Sequence, residues 1–92
     1  MEYKITHNKS ASKFFTVNEG KESVLEYIMV DSKTMNMIHT YVPVELRGRQ
    51  IAASLVKAGL EYAEENNLKI IPSCSYVRTY INRNDEYKKL VA

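Results

Sequence analysis

Glu45-Leu46-Arg47-Gly48-Arg49-Gln50-Ile51-Ala52-Ala53-Ser54-Leu55-Val56 is where the chain changes its period. Before this stretch apolar residues alternate, as strands require. From residue 50 to 65 they recur every three or four positions. Ile51, Ala52, Leu55, Val56, Gly59, Leu60 and Ala63 form one stripe, with Gln50, Ser54, Lys57, Glu61, Glu64 and Glu65 opposite. That spacing predicts an amphipathic helix. Pro43, which has no amide hydrogen to donate, ends the strand ahead of it. After a stop at residues 65–67, Leu68-Lys69-Ile70-Ile71-Pro72 reads as a short strand. A strand, a helix and a strand at this spacing form a βαβ unit, so the two strands should be parallel.

Working back from the switch, residues 35–42 read as a fourth strand. Simple alternation puts Met35, Met37, His39 and Tyr41 on one face, and Asn36, Ile38, Thr40 and Val42 on the other. Residues 24–30 are apolar on both faces except Glu26, which predicts a central strand. Residues 18–21 read as a hairpin turn with Gly20 free to take positive φ. Residues 13–17 and 3–6 complete the strands, joined by a polar exit loop over 7–12 that holds His7. Beyond residue 72 two helical stripes follow, Tyr76, Val77, Tyr80 and Ile81, then Tyr87, Leu90 and Val91, separated by Asn82-Arg83-Asn84. The expected fold class is α+β. A four-stranded antiparallel meander leads through a βαβ crossover to a parallel fifth strand and a helical C-terminus.

The 92 residues predict a single domain spanning 1–92, with one modest core. Cys74 is the only cysteine, so no internal disulfide can form and a reducing cytoplasmic setting is expected. The N-terminal residues lack the apolar core of a signal peptide, and no apolar run is long enough to span a bilayer. A net charge of +2 does not argue for nucleic acid. Arg47, Arg49, Arg78 and Arg83 form no stripe interleaved with aromatics, so nucleic acid is not an expected partner. One cysteine and two separated histidines give no metal site. An edge strand near the N-terminus permits pairing between copies without requiring it, so the oligomeric state stays open.

The basic loop at the switch allows two readings. The first turn of a helix carries unpaired amides and the positive end of the macrodipole, which favour an anion, above all a phosphate. Gly48 would let a bound group approach the backbone, and Arg47 and Arg49 offer forked cationic donors. In the plainer alternative both arginines are solvated and Gly48 only serves a turn.

The sequence of this region resembles the acetyl-CoA-binding motif of the GNAT acetyltransferase superfamily, R/Q-x-x-G-x-G/A. Arg47 stands at its first position and Ala52 at its last, while Gln50 occupies the place of the internal glycine. Similarity to a small GNAT-like subfamily continues through H-T-Y-V-P-V-E-L-R-G-R, E-Y-A-E-E-N-N-L-K-I-I-P-S-C-S-Y-V and Y-I-N-R-N-D-E-Y-K-K-L, covering His39 to Leu90. The resemblance implies acetyl-CoA as cosubstrate, its pyrophosphate held by the amides of Arg47, Gly48, Arg49, Gln50, Ile51 and Ala52. It also implies a pantetheine path between the fourth and fifth strands near Tyr41, Val42 and Val44. Relative to full-size members, a reduced scaffold with less of the usual acceptor-binding wall is expected.

Acetyl transfer to an amine needs a neutral nitrogen, a polarised thioester and a protonated leaving group. Cys74, just past the fifth strand, is a candidate acetyl acceptor or pocket-lining residue. His39 is a candidate base or a buried histidine bonded to backbone. Glu45 is a weaker base, and Tyr76 and Tyr80 are core tyrosines with hydroxyls that could protonate a thiolate. The sequence thus predicts an N-acetyltransferase acting on an unidentified amine of a small molecule or polypeptide. The alternative is a CoA- or acyl-CoA-binding sensor or interaction module without catalysis.

Overall fold

The computed structural model describes residues 3–92; the N-terminal segment read for a signal peptide includes Met1 and Glu2, which lie outside them. Five strands form one sheet in chain order: β1 (Thr6–Asn8), β2 (Lys13–Asn18), β3 (Lys21–Asp31), β4 (Thr34–Tyr41) and β5 (Lys69–Pro72). The first four pair antiparallel, and β4 pairs with β5 in parallel. A 3-10 turn, Val44–Leu46, leads to α1 (Ile51–Glu65), the crossover helix between β4 and β5. After β5 come α2 (Ser75–Arg83) and a 3-10 segment, Asp85–Leu90. The expected α+β meander and crossover are the fold observed.

The helical stripe does what its spacing requires. Ile51, Leu55, Val56, Gly59, Leu60 and Ala63 are buried against the sheet. Facing them are Phe14, Leu25, Tyr27, Met35, Met37 and Ile70, and Val77, Ile81, Tyr87 and Leu90 close the core from the C-terminal segments. Gly59 sets the spacing between layers. A Cβ there would lie 2.9 Å from the Met37 methyl and 3.0 Å from a Leu25 methyl, so the helix approaches the sheet more closely than alanine permits without a shift. Burying each large aliphatic side chain of this core contributes about 1.5–3 kcal/mol before conformational entropy is charged against it.

The core lies on one side of the sheet only. β3 is central in strand order, yet Glu26, Ile28 and Val30 on its second face are exposed. The expectation of a strand covered on both faces therefore fails. An apolar composition marks strand propensity as well as burial, and here it marks the former.

A β-bulge corrects the face assignment of β4. Glu26 pairs with His39 and Tyr27 with Met37, so Ile38 is the extra residue opposite this step. A bulge flips every side chain beyond it. Met35 and Met37 are buried, but Thr40, not His39, returns to the inner face, opposite the buried Leu25. His39 and Tyr41 point to the outer face and are exposed.

β1 also lies further along the chain than alternation suggests. It spans Thr6–Asn8, pairing His7 with Phe14, while Tyr3 and Ile5 are partly buried outside it. His7 is therefore a packed residue rather than a loop residue. Its ring stacks on Phe14 at 4.1 Å and meets the edge of Tyr62 at 4.4 Å, and Nε2 lies 2.6 Å from the Tyr27 hydroxyl. Burial, with the Lys9 ammonium nearby, holds its pKa below the ordinary value.

Candidate functional site

The parallel pairing of β4 and β5 ends at Met37 and Pro72. Pro72 cannot extend a ladder, and the bulge at Ile38 turns β4 away. Beyond these points lies a cleft of about 420 Å³ between the end of β4, the loop before α1 and the start of α2. Thr40, Tyr41 and Val42 line it from β4 and its exit, Leu46, Arg47, Gly48, Gln50, Ile51 and Ala52 contribute the loop and helix start, and Tyr76 contributes from α2. The size suits a small molecule or the working end of a cofactor.

The loop ends on the N-terminus of α1, and no side chain caps that terminus. The first helical bond runs from the Ser54 amide to the Gln50 carbonyl at 3.1 Å, with the Ser54 hydroxyl on the same carbonyl at 3.0 Å. The amides of Ile51, Ala52 and Ala53 precede that bond, so they are the turn's unspent donors. Gly48 has φ +82°, and a Cβ there would meet nothing within 4 Å. The glycine serves the backbone conformation and leaves open space over the loop. Gln50 also sits in the left-handed region, at φ 66° and ψ 17°. This explains the glycine preferred at its place in the family motif, because an L side chain is disfavoured in that conformation.

The two arginines separate. Arg47 lines the cleft, and its Nε donates to the Val42 carbonyl at 2.9 Å, bracing the mouth. Arg49 does not line it. Its guanidinium is paired with the Glu19 carboxylate and donates to the Glu45 carbonyl at 3.3 Å, while its own carbonyl accepts from the Tyr3 hydroxyl at 2.6 Å. Arg49 thus ties the loop to the β2–β3 turn and to the N-terminal segment. Val44 is 69% exposed on the 3-10 turn and lies outside the cleft lining.

Cys74 occupies the N-cap position of α2. Its amide donates to the Met37 carbonyl at 3.0 Å, and its sulfur lies 3.5 Å from the Thr40 hydroxyl. The thiol therefore sits beside a cleft-lining residue where the strands part. Burial pushes its pKa up. Hydrogen bonds from the Thr40 hydroxyl and from the backbone of Val77, Tyr76 and Thr40 outweigh burial and leave it below the ordinary thiol value. Tyr76 lines the cleft, and burial raises the pKa of its hydroxyl, with Arg83 acting in the opposite sense. Tyr80 packs near Tyr87 at 6.2 Å instead.

His39 is not brought to the inner side with Cys74; the bulge leaves it on the outer face, across from Glu26. Thr40 and Leu46 were missed as site residues. Leu46 had a signal, since it adjoins the basic loop. Thr40 had none, because one inserted residue inverts the alternation without marking the sequence. Among the described residues no three His, Cys, Asp or Glu side chains gather as a metal site.

A mixed sheet of four antiparallel strands and a parallel fifth, with a cleft at the uncapped start of its crossover helix, defines an α+β domain. Residues 13–90 match the GCN5-related N-acetyl-transferase family, and the chain belongs to that family. Protein NATD1 of Danio rerio is 34% identical over 83 residues, covering 88% of this chain and 76% of the relative. Protein NATD1 of Homo sapiens is 32% identical, covering 88% and 74%. The solution NMR structure of a GCN5-like protein from Staphylococcus aureus superposes with a TM-score of 0.76 at 33% identity, over 98% of this chain and 88% of that one.

Proposed function

We propose that the chain is an acetyl-CoA-dependent N-acetyltransferase whose cofactor occupies the β4–β5 cleft. The observation that carries this reading is that the start of α1, with its unspent amides, and Thr40, whose hydroxyl lies 3.5 Å from the Cys74 sulfur, line one cleft. Acetyl-CoA supplies an activated acetyl group and a pyrophosphate handle. The amides of Ile51, Ala52 and Ala53, with the space over Gly48, receive the pyrophosphate, and Arg47 adds positive charge at the mouth. Tyr41 and Val42 flank the narrower arm of the cofactor. Arg49 acts by bracing the loop, and Val44 has no contact role in this reading.

Cys74 is the nucleophile. Its thiolate attacks the acetyl carbonyl, a carbon–sulfur bond to Cys74 forms, and the bond to the cofactor sulfur breaks. The departing sulfur takes a proton from the Tyr76 hydroxyl, which water then restores. The acceptor nitrogen attacks the acetylated Cys74 and regenerates the thiolate, and its proton passes to water, since His39 faces the opposite side of the sheet from the thiol. A free thiol in this role suits a reducing compartment, and we place the protein in the cytoplasm. Isothermal titration with acetyl-CoA, followed by mass spectrometry without acceptor, tests the scheme. Binding with an acetyl-sized mass increase on Cys74 supports it; no heat at millimolar ligand ends it.

A second reading rests on Gln50. Gln50 lines the cleft at the place where the motif it resembles has glycine, which favours a CoA- or acyl-CoA-binding module without turnover. Tight binding without turnover, unchanged in Cys74→Ala and His39→Ala, selects that reading.

A further inference from the structure

The far half of β3 has an open edge. β2 pairs with β3 as far as Lys13 and Glu26, while β3 continues to Asp31 beside β4. The Tyr27 amide points to the β2 side, where it donates to the Ser12 carbonyl at 3.0 Å. Backbone groups alternate sides along a strand, so the N–H and C=O of Met29 point the same way. Pairing on the other side agrees. Lys33 and Met37 turn their carbonyls toward β5 and its exit, accepting from the Lys69 amide at 2.8 Å and the Cys74 amide at 3.0 Å. Met35, midway between them and opposite Met29, therefore also turns away from β3. Among the described residues no strand lies beside Met29 on its open side.

A groove of about 340 Å³ borders this edge, with Lys9, Ser12, Tyr27, Met29, Tyr62 and Asn66 among its walls. Lys9 is its only charged lining residue, and the ammonium lies 5.7 Å over the Tyr62 ring. Met29 shares the inner face with the buried Leu25 and Tyr27, which is how its side chain comes to line the groove. Its neighbours along the strand, Ile28 and Val30, are 54% and 56% exposed. The groove shares no residue with the cofactor cleft; one adjoins Tyr62 and Asn66 at the end of α1, the other Gln50 to Ala52 at its start.

We infer that this edge and groove dock an extended segment of a partner protein, antiparallel to β3, with a glutamate opposite Met29. An open strand edge is a template for a further strand. Met29 offers one donor and one acceptor on the same side, the set that a single peptide residue matches by exchanging both bonds. A small carboxylate would use the N–H and leave the carbonyl unpaired. Residues paired this way carry their side chains on one face, so the side chain opposite Met29 enters the groove. Lys9 makes an acidic group the complement there, and the Tyr27 and Tyr62 rings accommodate its methylenes. Apolar residues on either side of the glutamate cover Ile28 and Val30. A second copy of this chain fits less well. Two-fold pairing about Met29 puts a methionine where Lys9 calls for an anion. It also meets the Ser12 loop at Tyr27, which leaves an overlap too short for a stable dimer. The inference does not depend on the acetyltransferase reading, because the docked segment leaves the cleft open.

Three capped peptides of alternating valine and threonine test it: one with a central glutamate flanked by valines, one with glutamine in its place, and one with that glutamate N-methylated. Amide chemical shifts and affinity are measured with each, in the native protein and in Lys9→Gln. The glutamate peptide should move the amides of Tyr27, Met29, Tyr62 and Asn66 and leave those of Gly48 to Ala53 in place. N-methylation removes the donor to the Met29 carbonyl and keeps the charge, so affinity should fall about tenfold. The glutamine peptide and Lys9→Gln should each weaken binding about threefold, as for an exposed ion pair, and the two together no more than either alone. Shifts centred elsewhere, equal binding of the N-methylated peptide, or indifference to both charge changes overturns the proposal. Shifts at Met29 that grow with protein concentration alone mark pairing of two copies and overturn it as well. Because the peptide changes leave the protein untouched, they decide the matter even if Lys9→Gln fails to fold.

Discussion

Gln50 and Gly48 form a matched pair for testing how the cofactor loop is built. Both have positive φ, 66° and 82°, but only one is glycine. Holding an L residue there costs about 1–2 kcal/mol. Introducing glycine returns about 0.4–1 kcal/mol of that by loosening the unfolded chain. Gln50→Gly should therefore stabilise the fold by roughly 0.5–1 kcal/mol, a rise in Tm of about 2–8 °C for a domain of this size. Gly48→Ala should shift stability by a similar amount in the opposite direction, since a Cβ there meets nothing within 4 Å and only the backbone term remains. Urea titration measures both, with the slope unchanged if the effects are native-state conformational ones. Gln50→Gly should also tighten acetyl-CoA binding, because it clears a side chain from the cleft. If Gln50→Gly destabilises the fold, or if the two variants move in the same direction, the loop conformation argued here is wrong.

His7 favours its neutral form in the folded state, so its contribution to stability should be full above the unfolded value of 6.5 and decline as pH falls through the lower folded pKa. Denaturant titrations at pH 7.5 and 5.5, with His7→Phe as the variant lacking this dependence, measure that loss; equal slopes against pH in both proteins refute it. Cys74 should react with iodoacetamide at a pH below the ordinary thiol range, and Thr40→Val should move the midpoint upward by removing one hydrogen bond to sulfur. Arg47→Ala should weaken acetyl-CoA binding about tenfold or more, whereas Arg49→Ala should change stability by less than about 1 kcal/mol and affinity little, as calorimetry of both variants will show.

Much of the fold was legible because it depends on period. The change from two to 3.6 at Gln50 fixed the crossover, and the parallel β4–β5 pairing follows from it. The loop was legible for a related reason: Gly48 and the apolar stripe together announce a helix start. The errors have a common cause, since register is a pairwise property. Ile38 has no feature that marks a bulge, yet it moves His39 outward and Thr40 inward. His7 looked like a loop residue among polar neighbours until pairing set it over Phe14. Both Arg47 and Arg49 read as cationic donors in the loop, and their different partners, the Val42 carbonyl for one and the distant Glu19 for the other, are not visible in the sequence. The exposed face of β3 was illegible because residues that suit a buried strand also suit an apolar surface awaiting a partner.

Amide chemical-shift mapping with acetyl-CoA tests the central claim most directly. The account predicts shifts concentrated at Gly48 to Ala53, Thr40 to Val42, Cys74 and Tyr76. A second groove, lined by Lys9, Tyr27, Tyr62 and Asn66 among others, lies toward the other end of α1. Shifts centred there, or none at saturating ligand, would contradict it.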